Sequence, residues 1–98
     1  MTLEGIRMTE ERKKYMTRQM AMALPVMRKA LRLKQMDLCE RTGVSRSILS
    51  AVEKGARELS WDTFLTLLTL FYANEQSRKL FSVYDIDINE LSAYLTAL

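Results

Sequence analysis

Residues 35–55, QMDLCERTGVSRSILSAVEKG, hold two short helical patterns around a single glycine. Gln35 to Thr42 puts Leu38 and Cys39 on the inward side, and Gly43 supplies the positive-φ residue that ends a helix. Val44 reads as a buried plug in the turn. Ser45 is a good N-cap, because its hydroxyl accepts from an orphan N–H of the following turn. The helix it opens runs from Arg46 to about Lys54 with Leu49 and Val52 inward, and Gly55 closes it. Two short helices joined by a glycine-containing turn make a helix-turn-helix unit.

The flanks extend the helical pattern. Upstream, Thr9 before Glu10 and Glu11 reads as an N-cap with acids placed favourably in the first turn. Met16, Met20, Leu24, Met27 and Leu31 then recur as one helical stripe. Pro25 interrupts it, so the pattern predicts either a kinked helix or two, the second starting near Leu24–Pro25. Residues 1–8 carry weak signals and are expected to fray. Downstream, Ser60 caps a helix with Asp62 in its first turn and Phe64, Leu67, Leu68 and Phe71 inward, with Trp61 beside them. Tyr72–Asn74 breaks that helix. Leu80, Phe81, Val83, Tyr84 and Ile86 are mixed in period and fit a helix or a short strand. Asp87 with Glu90 reads as a variant capping box before a last stripe of Ile88, Leu91, Leu95 and Leu98.

Ninety-eight residues make one domain, and a chain this long buries about 60–65% of its unfolded surface. Three Gly and one Pro leave few tight turns, which disfavours a many-stranded sheet. The fold class is therefore all-α. The absence of His removes imidazole triads and pH switches, and the lone Cys39 excludes an intrachain disulfide and a CxxC-type zinc site. No glycine-rich phosphate loop or carboxylate cluster suggests catalysis. Asp85 and Asp87 read as a solvated neighbour and a cap rather than a cation site. Nothing calls for a metal or a cofactor.

Residues 1–59 hold 13 Lys/Arg against 7 Asp/Glu, whereas 60–98 hold 2 against 5. A basic first part with an acidic, apolar tail suggests a polyanion-binding surface followed by a packing element. Residues 12–36 carry eight basic side chains and no acid. That run is either a solvated face over a core-facing methionine stripe or an amphipathic helix for an anionic membrane. No run approaches the length of a membrane span. Arg12 to Gln19 stands where the apolar core of a secretion signal would have to be, so export is not expected.

Met27–Phe71, MRKALRLKQMDLCERTGVSRSILSAVEKGARELSWDTFLTLLTLF, resembles the lambda-repressor-like, or Xre/Cro-type, DNA-binding family. Gln35 opens the first motif helix, Leu38-Cys39 stands where Leu-Ala is usual, Gly43-Val44-Ser45 is the turn, and Glu53-Lys54-Gly55 ends the second helix. An extra N-terminal helix, in the extension over 1–24 and helical from 9, and a C-terminal helical tail over 74–98, core-covering or dimerising or both, fall outside the resemblance. The resemblance itself implies a compact helical bundle, with the DNA-binding domain over 25–73. It implies base reading by Arg46, Ser47, Ser50 and Ala51, with Arg46 able to grip guanine bidentately. Phosphate contacts would come from Gln35, Ser45, Lys54 and Arg57, with Lys34 and Arg41 as weaker candidates. Arg28 and Glu53 stand where some members form a structural ion pair. The chain departs from the pattern at Cys39, at Ile48, which is either groove-facing or packed under its neighbour, and at Glu58-Leu59, which weakens the basic patch after Gly55.

The function so implied is a sequence-specific, non-enzymatic regulator of transcription, a repressor. It would act in a prokaryotic or phage setting, cytoplasmic and nucleoid-associated. Its partner is double-stranded DNA, read at a palindromic operator by a homodimer. Ile88, Leu91, Tyr94, Leu95 and Leu98 are the dimer candidates. The alternatives are an antitoxin that binds DNA and a toxin partner, a protein-interaction adaptor, and an anionic membrane-surface binder using residues 12–34.

Overall fold

Six helices follow one another in the computed structural model, which describes residues 8–97. They are α1 (Glu10–Ala30), α2 (Gln35–Thr42), α3 (Arg46–Glu53), α4 (Trp61–Ala73), α5 (Glu75–Arg78) and α6 (Ile88–Leu95). Among the described residues there is no strand. The first seven residues of the stretch expected to fray lie outside that range, but Met8 is buried.

Local chemistry sets the long first helix. Thr9 Oγ1 accepts from Arg12 N at 3.0 Å, and Glu10 and Glu11 meet the positive end of the dipole. Pro25 has no N–H to give the Ala21 carbonyl, yet α1 runs through it as one helix rather than two. Burial on both sides explains the continuity, because Ala23, Leu24 and Met27 around the proline are all fully buried. Met16 and Met20 complete the stripe, so the methionines are core side chains. The apolar face a membrane-surface helix would lay on lipid is therefore occupied inside the protein.

α1 ends without a glycine. Leu33 N donates to Arg28 O and Arg32 N to Lys29 O, both at 3.0 Å, with Arg32 at φ +57°. These are the paired bonds of a Schellman closure, here with arginine in the left-handed position. α3 closes the same way at Gly55 (φ +76°), through Ala56 N to Ala51 O at 2.9 Å and Gly55 N to Val52 O at 3.1 Å.

The helix-turn-helix side of the core joins the α1 stripe to Leu38, Leu49 and Val52, and Phe64, Leu67 and Phe71 of α4 pack in the same cluster. Trp61 stacks on Phe64 with ring centroids 5.0 Å apart. Leu59, set down above as a departure in the basic patch, is buried in the core. α4 stops at Ala73. A one-turn helix, α5, follows at once, and its buried Ser77 hydroxyl donates to Phe71 O at 2.6 Å.

Residues 79–85 are neither helix nor strand but a chain of turns. Ile86 N donates to Phe81 O at 2.9 Å and Asp85 N to Ser82 O at 3.3 Å, with Asp85 at φ +55°. The third closure of the same type thus folds Phe81 and Ile86 inward together and leaves Val83 exposed. α6 starts on Asp87, whose Oδ1 accepts from Asn89 N and Glu90 N. Glu90 does not complete a capping box, since it turns to Arg12 of α1.

Candidate nucleic-acid interface

The orientation of α3 is fixed from behind. Arg28 of α1 forks onto Glu53, Nε to Oε2 and Nη2 to Oε1, each at 3.0 Å, while its Nη1 donates to Leu33 O at 3.0 Å. The pair is nearly covered, with 13% and 9% of the two side chains exposed. Gln35 Nε2 adds a bond to Glu53 Oε1 at 3.3 Å. One carboxylate therefore ties α1, the start of α2 and the end of α3. A planar fork of this kind fixes direction as well as distance.

With Leu49 and Val52 held in the core, the opposite face of α3 faces outward. Arg46 and Ser47 are exposed in its first turn, and Ser50 and Ala51 are half-buried one turn on. Ser45 Oγ accepts from Ile48 N at 3.2 Å as the N-cap and lies 3.4 Å from Ser47 Oγ. Ile48 is half-buried and packs against the core. The turn before α3 is also braced, with Thr42 Oγ1 donating to Leu38 O at 2.7 Å and accepting from Val44 N at 3.3 Å. Val44 itself is half-buried.

The structure brings Arg46, Ser47, Ser50 and Ala51 onto one face and places Ser45 at its head. Lys54 and Arg57 are exposed just beyond the end of α3. Gln35 is placed differently from a simple phosphate donor: its amide is engaged by Glu53, leaving its backbone N–H at the positive end of α2. Lys34 uses its backbone N–H on Asp37 Oδ2 at 2.8 Å, and its side chain is exposed, as is that of Arg41.

Two cations of the basic run over 12–36, not placed among the contact candidates from sequence, lie beside Lys54 and Arg57. Lys14 and Arg18, exposed one turn apart on α1, line an open groove of about 770 Å³ whose other wall includes Lys54, Gly55 and Arg57. Their spacing of four was visible in the sequence, but that α1 passes the α3–α4 turn was not.

The tail candidates are divided. Leu91 is fully buried, Ile88 and Tyr94 are half-buried against the core, and Leu95 is exposed. Leu98 lies outside the described residues. The tail is held on the start of α1 by Arg12 to Glu90 (3.0 Å), by Tyr15 OH donating to Asp85 Oδ2 (2.8 Å) and by Gln19 Nε2 donating to Tyr84 O (2.7 Å). Lys13 Nζ sits 5.0 Å from the Tyr94 ring centroid and 5.3 Å from that of Trp61. The Tyr15 hydroxyl is raised above its ordinary value, first by its hydrogen bond to Asp85 and then by burial. Among the described residues no helix is long and apolar enough to cross a membrane.

A sequence model described as a helix-turn-helix domain matches residues 19–81, well over half of the chain. No curated protein and no solved structure matches it.

Proposed function

The chain belongs to the helix-turn-helix domain family, and from that premise we propose that it is a sequence-specific DNA-binding regulator, a repressor acting as a homodimer on a palindromic operator. The observation that carries the reading is the outward face of α3. Arg46 and Ser47 stand exposed at its first turn, while Leu49, Val52 and the Arg28–Glu53 fork hold its back to the protein. A recognition helix of this kind enters the major groove with its N-terminal residues nearest the base edges.

Arg46 is assigned to guanine O6 and N7, and Ser47, Ser50 and Ala51 to the neighbouring base edges. Ser45, the α2 N-terminus at Gln35, Lys54 and Arg57 are assigned to phosphates, which set register without reading sequence. Repression follows from occlusion of a promoter by the bound dimer in the cytoplasm. The second protomer is assigned to the tail edge bearing Leu95 with Tyr94 and Ile88, because Leu91 is already buried within its own chain.

Selection of genomic DNA fragments by the purified protein near physiological salt tests the reading. An enriched two-fold motif is expected, and its half-site spacing reports the dimer geometry. The Arg46→Ala variant, still folded, is expected to relax one position of that motif, a change worth about 1–3 kcal/mol. Absence of enrichment over a range of salt concentrations overturns specific DNA recognition.

A further inference from the structure

We propose that the groove between the middle of α1 and the α3–α4 turn is a second phosphate-binding track, in which Lys14 and Arg18 grip the backbone of the same DNA duplex that α3 reads. The inference rests on the DNA-binding reading and extends its footprint onto a helix segment that precedes the family match at residue 19.

Pairing separates the cations of α1 into two groups. Arg12, Lys13 and Arg28 each face an acid, Glu90, Glu10 and Glu53 respectively. Lys14, Arg18 and Lys29 form no ion pair among the described residues, and of these Lys14 and Arg18 line the groove; Lys54 and Arg57 on the opposite wall are likewise without an ion pair. Two acids also line the groove. Glu53 is engaged by Arg28 and Gln35, and Glu58 stands exposed among the four cations.

Shape and continuity select the occupant. Cations on both walls of an open groove suit a linear polyanion that lies between them. One wall begins within α3, at Val52 and Glu53, and runs on through its C-cap Lys54, so the track continues directly from that helix. A phosphodiester backbone has this form, and each phosphate neutralised by a cation releases counterions.

The test is the salt dependence of binding to a duplex of about 30 base pairs, measured with the full chain. Replacing Lys14→Gln and Arg18→Gln together is expected to lower the slope of log K against log salt by about 1.8, at about 0.9 per phosphate contact. The selected motif is expected to stay unchanged, because phosphate contacts carry no sequence information. The charge-keeping pair Lys14→Arg and Arg18→Lys is expected to restore the slope, which separates charge from folding.

An unchanged slope in the Lys14/Arg18 variant, alongside a lowered slope in Lys54→Gln/Arg57→Gln, overturns the second track and leaves the DNA-binding reading standing. A wild-type protein that binds no duplex overturns both. Loss of binding to phosphatidylserine-containing vesicles with the duplex slope intact assigns the groove to lipid headgroups instead, and overturns the proposal.

Discussion

The helix-turn-helix and the tail are both mounted on α1, one on each half, and they are fastened in opposite ways. At the C-terminal half, Arg28 and Glu53 form a covered fork whose remaining donor and acceptor are also satisfied. At the N-terminal half, Arg12 and Glu90 form an ion pair with about a third of each side chain exposed, and Tyr15 meets Asp85 at the surface. The covered fork is shielded from water and fixes the direction in which α3 meets α1. The outer clasp is screened by water and salt, so the tail is retained mainly by its apolar contacts through Phe81, Ile86 and Leu91. The difference shows that α3 is fixed in direction by a covered charge pair and the tail in place by burial.

Breaking the inner fork should have the largest effect. Glu53→Ala leaves the Arg28 guanidinium covered and without its carboxylate, which costs about 3–5 kcal/mol. Denaturant unfolding is expected to show that loss, and a midpoint within experimental error of the wild type would place the pair among solvated charges. Leu91→Ala tests the other end. Leu91 is fully buried, so its removal is expected to cost about 2–5 kcal/mol, well above anything the outer ion pairs contribute. A cost below about 1 kcal/mol would mean that charge, not burial, retains the tail.

The same contrast governs what could be read from the sequence. The end of α2 and the starts of α3 and α4 follow from Gly43, Ser45 and Ser60, because a glycine or a serine at a helix end carries its own backbone chemistry. The methionine stripe likewise gave away the buried face of α1. At Pro25 the sequence left one kinked helix or two open, since propensity counts the lost hydrogen bond and not the burial on both sides; the structure has the single helix. Residues 79–86 resisted assignment because Phe81 and Ile86 are brought inward by a turn and not by any helical or strand period. Lys14 and Arg18 were legible only as part of the basic run over 12–36, because their neighbours Lys54 and Arg57 are about forty residues away along the chain.

Arginine in a glycine position makes a smaller and opposite test. At φ +57° the Cβ of Arg32 meets steric resistance that glycine lacks. Arg32→Gly relieves about 1–2 kcal/mol of that strain and gives back part of it through the greater freedom of the unfolded chain. A net gain of about 0.5–1 kcal/mol is expected, read as a raised thermal midpoint. Gly55→Ala should move the other way by a similar amount, with no clash involved, because nothing lies within 4 Å of the added Cβ. Equal midpoints for all three proteins would mean that the closures relax at no cost.

The smallest effect lies in the outer clasp and is lost in alkaline solution. Tyr15 donates to the Asp85 carboxylate, and this contact, followed by partial burial, raises its hydroxyl above the ordinary tyrosine value near 10, with Arg12 opposing. A raised folded-state value means that the native protein keeps this proton after the unfolded chain has begun to lose it. The contribution is therefore complete below about pH 10 and is lost as the pH climbs through the folded-state value. Tyr15→Phe has no such proton, so its thermal midpoint should lie slightly below that of the wild type at pH 8, and the gap should close as the pH rises past 10. A gap that widens with alkalinity would mean that Tyr15 is deprotonated more readily in the fold, and that the clasp is held by Arg12 rather than by the shared proton.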